Sequence, residues 1–191
     1  RLLGDRRFGP LFATQFFGAL NDNVFRASLS LIFVYSGLIA SENTGVFVNA
    51  AAGLFVLPFF LFSATAGQLA DKYEKSMLIR RIKLLEIVVV LLGGLAVMAG
   101  SVPGMLGTSF LLGVQSALFG PLKFSILPQV LTEAELTGGN AQIEMGTFVA
   151  ILIGSLIGNV VGSSENASLW VLVLVLLVAV AGYASSRYVP Q

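Results

Sequence analysis

The sequence predicts an all-α membrane protein built as a bundle of six transmembrane helices, and two observations predict this class. Of the 191 residues, 56% are hydrophobic and only 11% are charged, whereas a soluble domain carries roughly 25% charged residues. The mean hydropathy is +0.90. One small core cannot hold this much apolar surface, so much of it must face the lipid bilayer.

The second observation is a set of six apolar runs, each bounded by charges or turn residues. A transmembrane helix needs about 20 such residues, and the first run exceeds this, so its helix should tilt or extend past the surface. Barrel strands are excluded because they are only ~10 residues long and alternate in polarity. The runs cover residues 8–39, 46–70, 78–100, 104–127, 139–162 and 169–186.

The connections between these runs are short and differ in composition. Residues 41–45 and 163–167 combine Ser, Glu and Asn, and residues 101–103 end in Pro103. Residues 71–77 carry basic and acidic side chains, and residues 131–137 carry acidic ones. No long linker or soluble domain interrupts the pattern, which favours one compact bundle.

The orientation follows from the distribution of Lys and Arg, which concentrate in cytoplasmic loops. The first, third and fifth connections contain neither residue. We therefore expect both ends of this segment to be cytoplasmic. The basic residues lie before the first run, around the second connection and after the sixth run: Arg1, Arg6, Arg7, Lys72, Lys75, Arg80, Arg81 and Arg187.

Composition also excludes several functions. The net charge of +1 leaves no basic face for nucleic acid. The sequence has no Cys and no His, so any proton coupling would have to use carboxylates. It contains no nucleophile beside a base, no metal-ligand cluster and no phosphate-cradling loop. We expect no catalytic residue, metal or cofactor in this segment.

The first run carries two charges, Asp22 and Arg26, which share a helix face because they are four residues apart. A charge at mid-bilayer costs about 2.5–3.5 kcal/mol even on the lenient insertion scale, so it usually faces a partner or a cavity. One interpretation is a structural ion pair. The other is the polar wall of a solute pathway, with Asp22 free to meet a cation; the adjacent Asn21 and Asn23 favour this second interpretation.

Two later charges raise the same question. Lys123 could extend to the cytoplasmic interface, or it could line a wet groove together with Gln115, two turns earlier on the same face. Glu144 shares a helix stripe with Asn140 and Thr147. It lies either at the interface or in the interior that Asp22 and Lys123 face, and the shared stripe favours the interior.

Other features of these runs indicate packing. Lys83 and Glu86 lie nearer the cytoplasmic surface, and we expect them to form a local, structural ion pair. Gly154, Gly158 and Gly162 recur at every fourth position, which lets another helix approach closely.

The segment after the second run resembles the cytoplasmic signature of the major facilitator superfamily, G-x-L-A-D-[RK]-x-G-[RK]-[RK]. Glu74 stands where the signature has glycine, and Ser76 replaces its second base. The resemblance implies a conformational gate that latches the two halves of a facilitator, with Asp71 pairing with basic residues or a helix amino-terminus. The matching residues are Gly67, Leu69, Ala70, Asp71, Lys72 and Lys75.

A resemblance over nearly the whole chain rests on residues 15–23, 120–127 and 139–144, which look like the bacterial lysophospholipid transporter family. It implies a protein that flips lysophospholipids across the inner membrane by alternating access, for re-acylation. Lys123, with Arg26, would bind the phosphate, and Asp22 or Glu144 would bind an ethanolamine ammonium. Asn23 and Asn140 would donate hydrogen bonds.

Facilitators have two six-helix halves, and this chain resembles the amino-terminal one. Residue 1 is Arg rather than Met, so we expect a longer gene product whose second half supplies the opposing wall. Residues 68–75 look like versions fused to an acyltransferase. Two rival hypotheses stay open: a facilitator for a drug or other small organic solute, proton-coupled through Asp22 or Glu144, and a membrane platform for a fused acyltransferase.

Overall fold

The computed structural model describes residues 2–190, and 87% of the chain is helical. The described part contains seven α-helices, joined by short turns. Six are long, and each overlaps one of the six apolar runs. The helices are α1 (Gly9–Tyr35), α2 (Thr44–Lys72), α3 (Lys75–Met98), α4 (Val102–Ser125), α5 (Leu127–Val130), α6 (Glu133–Gly162) and α7 (Ala167–Ser186).

The ends of these helices have local causes. The first run was expected to extend to residue 39, but α1 ends at Tyr35, and Gly37 then adopts a φ of 69° that a continuing helix does not allow. The fifth run was expected to start at residue 139, yet α6 starts at Glu133. A capping box between Thr132 and Glu135 satisfies the first amides of α6 and so adds more than a turn to the helix.

Four of the helices are long and apolar enough to cross a membrane by composition alone: α2, α4, α6 and α7. The other two long helices, α1 and α3, have 27 and 24 residues, but they carry the buried charges that the sequence places in these runs. Many apolar side chains on the outside of the bundle are exposed, and Phe60 is 80% accessible. Such a surface is typical of a protein embedded in lipid.

The helices pack in a regular order. Helix α1 packs along α6 and α7, α4 packs along α2 and α3, and α3 also packs against α7. If α1 is exchanged with α4, α2 with α6 and α3 with α7, these main contacts are reproduced. The six long helices are therefore related as two sets of three, and the main contacts run between the sets.

The glycines of α6 allow its backbone to approach α1. A Cβ atom on Gly154 would lie 2.7 Å from the Leu20 carbonyl oxygen, and one on Gly158 would lie 2.5 Å from that of Val24. The Ser28 hydroxyl donates a hydrogen bond of 3.0 Å to the Gly158 carbonyl. The interpretation of this stripe as a packing surface is confirmed.

The basic ends of several helices meet at one end of the bundle. The Arg80 guanidinium on α3 donates to the carbonyls of Ser186 and Val189 at the end of α7. The Arg7 guanidinium lies 3.7 Å from Glu135 at the start of α6. Arg1, which the sequence analysis grouped with these residues, lies outside the described residues.

A polar layer divides the interior of the bundle into two apolar cores. The core at the basic end contains Phe8, Leu11, Ile82, Phe119 and Leu122, and the far core contains Val24, Phe25, Val89 and Leu112. The buried polar residues Gln15, Asn21, Asp22, Lys83, Glu86 and Gln115 lie between the two cores along α1, α3 and α4. This layer positions the candidate site.

Candidate functional site

A cavity of about 350 Å³ opens on the polar layer between α1, α2, α4 and α6. Its charged lining residues are Asp22, Arg26, Lys83 and Lys123. Three phenylalanines supply apolar wall: Phe55, Phe59 and Phe119. Uncharged polar side chains complete the lining: Gln15, Asn23, Gln115, Ser116 and Thr147. The cavity therefore presents cations, a carboxylate and aromatic surface together.

Asp22 is only 6% exposed, and both of its hydrogen-bond donors are neutral. The Ser116 hydroxyl donates to it at 2.5 Å and the Gln115 amide at 3.2 Å. Among residues 2–190 it forms no ion pair, so the interpretation of Asp22 and Arg26 as a structural pair is wrong. Although the helical spacing puts both on one face, Asp22 is held by α4.

Arg26 packs on an aromatic ring. Its guanidinium carbon lies 4.3 Å from the centroid of the Phe55 ring on α2, which favours a cation. Its Nε atom is buried and has no hydrogen-bond partner among the described residues. Arg26 and Asn23 also line a second cavity of about 200 Å³, so both cavities share these two residues.

Lys83 is a lining residue that the sequence analysis placed outside the site. The expected pair with Glu86 is confirmed, with 2.6 Å between Lys83 Nζ and Glu86 Oε2. Both side chains are buried beside Gly18 and Asn21 of α1, so the pair belongs to the polar layer. The Asn21 amide donates to the other Glu86 oxygen at 2.9 Å.

The local reason for this burial lies on α1. A Cβ atom on Gly18 would overlap Lys83 Nζ, so the missing side chain makes room for the ammonium group. The ammonium also lies 4.9 Å from the centroid of the Phe119 ring. The available sequence signal was two opposite charges three residues apart at the start of a long apolar stretch, but their burial depends on how α1 and α3 pack.

Lys123 and Glu144 form an ion pair of 3.1 Å between α4 and α6. The side chain of Lys123 is 14% exposed and lines the cavity, so the groove interpretation describes it better than an extension into solvent. The side chain of Glu144 is 44% exposed and is not among the lining residues. Glu144 thus reaches the site only through its partner.

The expected polar stripe on the fifth run divides in the structure. Thr147 faces the cavity and accepts a hydrogen bond of 2.8 Å from the Gln15 amide. Asn140, in contrast, donates to the Leu136 carbonyl of its own helix at 2.9 Å and does not line the cavity. The structure therefore brings together Asp22, Asn23, Arg26 and Lys123, but not Asn140.

The expected gate residues lie away from the cavity. Gly67, Asp71 and Lys72 are in the last turns of α2, and Lys75 begins α3. Asp71 and Lys72 are exposed, and neither forms an ion pair within residues 2–190. Both side chains can therefore contact another protein surface.

Glu74 has a clear role in this connection. As the N-cap of α3, its carboxylate accepts hydrogen bonds from the Ser76 amide at 2.7 Å and the Met77 amide at 2.6 Å. Partial burial alone would raise the pKa of Glu74, but these hydrogen bonds outweigh it and lower the pKa below its ordinary value of 4.5. A capping function accounts for glutamate where the signature has glycine.

Curated relatives match most of this chain. The lysophospholipid transporter LplT of Yersinia pestis (strain Pestoides F) is 30% identical over 177 residues, which are 92% of this chain and 41% of the relative. The protein of the same name from Yersinia enterocolitica is 28% identical over 183 residues, 95% of this chain and 42% of the relative. The chain is similar to lysophospholipid transporters.

The similarity covers only part of each relative. The chain spans about two fifths of the length of the curated relatives it matches. No protein-family model matches the chain, and neither does any solved structure.

Proposed function

We propose that this chain is the amino-terminal six-helix half of a transporter that flips lysophospholipids across the bacterial inner membrane. The observation that carries the proposal is the similarity of more than nine tenths of the chain to lysophospholipid transporters. The cavity supports it, because charged and aromatic residues together suit a molecule with a charged headgroup and an acyl tail. Movement would follow alternating access and supply substrate for re-acylation.

The six-crossing arrangement is supported by the packing. Helices α1 and α3 each lie against two or more of the apolar helices, and their charged residues Asp22, Lys83 and Glu86 are buried in the interior. The exchange of α1, α2 and α3 with α4, α6 and α7 is what an inverted repeat of three helices produces. The relatives are more than twice as long as this chain, which leaves room for a second six-helix half.

The cavity residues divide by chemistry. The cations Arg26, Lys83 and Lys123 would attract the phosphate, and Asp22 would attract an ammonium. Asn23, whose amide donates to the Ala19 carbonyl at 2.7 Å, keeps its oxygen for the substrate. The tail would leave sideways along Phe55 and the other ring surfaces.

The basic end of the bundle would face the cytoplasm, since cytoplasmic loops carry an excess of Lys and Arg. The exposed Asp71 would then latch against the second half of the protein. Asn140 and Glu144 act at most indirectly in this proposal, because neither lines the cavity. An acyltransferase fused to the second half stays a prediction from the resemblance.

The test is a flip assay with the intact protein in proteoliposomes, using fluorescent lysophosphatidylethanolamine and albumin extraction of the outer leaflet. We expect Asp22→Asn and Lys123→Ala each to slow movement at least tenfold. The matched controls are Glu165→Gln and Arg187→Gln, which remove exposed charges outside the cavity.

Each rival hypothesis has its own outcome in this assay. Wild-type rates for both Asp22→Asn and Lys123→Ala would contradict the charged site. In another outcome, the wild-type protein moves no lysophospholipid and instead dissipates a proton gradient when an organic solute is added. That result would favour a proton-coupled facilitator for a drug or other small organic solute. A protein that does neither would favour the membrane platform.

A further inference from the structure

Helices α3 and α7 pack along each other and carry an exposed apolar surface that belongs to neither cavity. No residue of α7 lines either cavity, and α3 contributes only Lys83. The exposed side chains form one stripe at helical spacing on each helix, so this surface faces the acyl chains of the surrounding lipid. The stripes consist of Leu84, Val88, Leu91 and Leu95 on α3 and of Val173, Leu177 and Val180 on α7.

Each stripe leads to an exposed arginine at the basic end of the bundle. Arg81 lies one turn before Leu84 on α3, and Arg187 follows the last turn of α7. Neither arginine forms an ion pair within residues 2–190. Tyr188, next to Arg187, is also exposed, and tyrosine is enriched where a membrane protein meets the lipid headgroups. The two positive charges therefore lie where a headgroup would meet the apolar stripes.

Arg80 brings the two arginines together. Its guanidinium donates to the Ser186 carbonyl at 3.4 Å and to the Val189 carbonyl at 3.2 Å, and Val189 is buried in the core at this end. Arg81 follows Arg80 in the chain, and Arg187 follows Ser186. Because this contact joins the two backbones, the exposed guanidinium groups leave the bundle from adjoining positions, while Arg80 itself is used by α7.

The other basic residues at this end have acidic neighbours. Arg7 pairs with Asp5 at 2.7 Å and lies 3.7 Å from Glu135. Lys72 and Lys75 each follow an acidic residue in the chain. On α3 and α7 the single acidic side chain is buried and paired. Uncompensated positive charge at this end is therefore concentrated on the α3 and α7 face.

We propose that Arg81 and Arg187 bind the phosphate of a resident anionic phospholipid, whose two acyl chains lie along the stripes of α3 and α7. An arginine fork can donate two parallel hydrogen bonds to a phosphate, and basic positions beside transmembrane helices recognise anionic headgroups. From Leu84 to Leu95, α3 rises about 16 Å, which matches half of a hydrocarbon core of about 30 Å. The ammonium group of a zwitterionic lipid would meet two like charges, so the anionic lipid is preferred.

The bound lipid would hold α3 against α7 behind the cavity. Helix α3 carries Lys83 on the cavity wall, and a Cβ atom on Gly182 of α7 would lie 3.9 Å from Lys83 Cδ. A phosphate shared by an arginine from each helix therefore stabilises the pair that supports this wall, without touching the transported molecule. The inference does not depend on which molecule the cavity carries.

The experiment is equilibrium binding of radiolabelled phosphatidylglycerol and phosphatidylethanolamine to the intact, detergent-purified protein. We expect Arg81→Gln/Arg187→Gln to weaken binding of phosphatidylglycerol at least tenfold and to leave phosphatidylethanolamine unchanged, and Arg81→Lys/Arg187→Lys to recover part of the loss. The matched control Arg6→Gln/Arg7→Gln removes as many positive charges from the same end and should change either affinity less than twofold. Phosphatidylglycerol should raise the unfolding temperature of the wild type by roughly 2–4 °C, and that of the glutamine double variant far less.

Two comparisons identify the ligand. Lysophosphatidylglycerol has the same headgroup but one acyl chain, and it should bind at least fivefold more weakly than phosphatidylglycerol. Tighter binding of the single-chain lipid would contradict a two-chain resident lipid. Glycerophosphoglycerol, which has no acyl chain, should compete only at far higher concentration. Equal competition would assign the site to a soluble phosphate ester and overturn the lipid assignment.

The outcomes also separate this inference from the proposed function. Wild-type protein that does not prefer phosphatidylglycerol, unchanged binding in Arg81→Gln/Arg187→Gln, or an equal loss in the control would overturn the inference and leave lysophospholipid transport standing. Arginine-dependent binding in a protein that moves no lysophospholipid would have the opposite result. In the flip assay, Arg187→Gln serves as a control in phosphatidylcholine vesicles, because these contain no anionic lipid to occupy the site.

Discussion

Lys83 and Glu86 form an ion pair of 2.6 Å that is buried on the wall of the cavity, where Asn21 hydrogen bonds to the same carboxylate. Breaking a buried pair on one side leaves an uncompensated charge and typically costs about 3–5 kcal/mol. We expect Lys83→Met or Glu86→Gln to lower the unfolding free energy of the intact protein by about that amount. Denaturant unfolding in detergent micelles measures it.

The double variant Lys83→Met/Glu86→Gln supplies the control for this pair, because it removes both charges together. Its unfolding free energy should be higher than the value obtained by adding the two single losses. The coupling energy between the two changes should be about 0.5–3 kcal/mol. Additive losses would show that the two side chains do not depend on each other.

Gly18 makes room for the ammonium group of Lys83. A methyl group in that position would overlap Lys83 Nζ, and such overpacking typically costs about 1–3 kcal/mol. We therefore expect Gly18→Ala to destabilise the protein by that amount and to slow lysophospholipid movement, as measured by thermal unfolding and by the flip assay.

Gly107 offers a matched comparison within α4, since a Cβ atom there meets nothing within 4 Å. Gly107→Ala should be neutral or stabilise the protein by about 0.5–1 kcal/mol, because alanine favours a helix interior over glycine. Equal effects of Gly18→Ala and Gly107→Ala would contradict the assigned role of Gly18.

The Glu74 cap predicts a pH dependence. Because the folded-state pKa of Glu74 lies below its ordinary value of 4.5, the cap stabilises the protein fully above about pH 4.5 and loses this contribution as the pH falls through the folded pKa. Glu74→Ala should cost about 1 kcal/mol at pH 7. Unfolding measured at pH 7 and pH 3.5 should show a smaller difference between Glu74→Ala and wild type at the lower pH.

A constant difference at both pH values would mean that Glu74 stabilises α3 without its charge. The variant Glu165→Gln provides the comparison, since Glu165 is an exposed glutamate in a connection. Its unfolding free energy at pH 7 should equal that of the wild type.

Asp71 is exposed at the end of α2, at the basic end of the bundle and away from the cavity. If it latches against a second half of the protein, Asp71→Asn should shift the balance between inward and outward states. We expect the maximal flip rate to change at least fivefold, while the ratio of affinities for lysophosphatidylethanolamine and lysophosphatidylglycerol stays constant. A changed headgroup ratio with an unchanged rate would contradict the gate.

Much of the candidate site could be predicted from the sequence of single helices. Asp22, Asn23, Arg26 and Lys123 could be selected because charges and amides inside apolar runs are costly unless they face a cavity or a partner. Lys83 was not selected, because the sequence indicated a local pair with Glu86 and did not show that its ammonium group would line the cavity. Asn140 and Glu144 were expected to face the same interior, but neither lines the cavity, because a stripe on one helix does not show which of its members a neighbouring helix covers.

The sequence by itself determined the six long helices, their order and the positions of the charges along them, but not the short helix α5. Apolar runs, caps and turn residues act within a few residues of the chain, so their effect can be seen without the fold. Only the tertiary structure decided which partner each charge has: Glu86 for Lys83, Glu144 for Lys123, neutral donors for Asp22 and an aromatic ring for Arg26. Ion pairs and hydrogen bonds form only where two side chains come into contact across a helix interface, so the partner of each charge depends on which helices pack together.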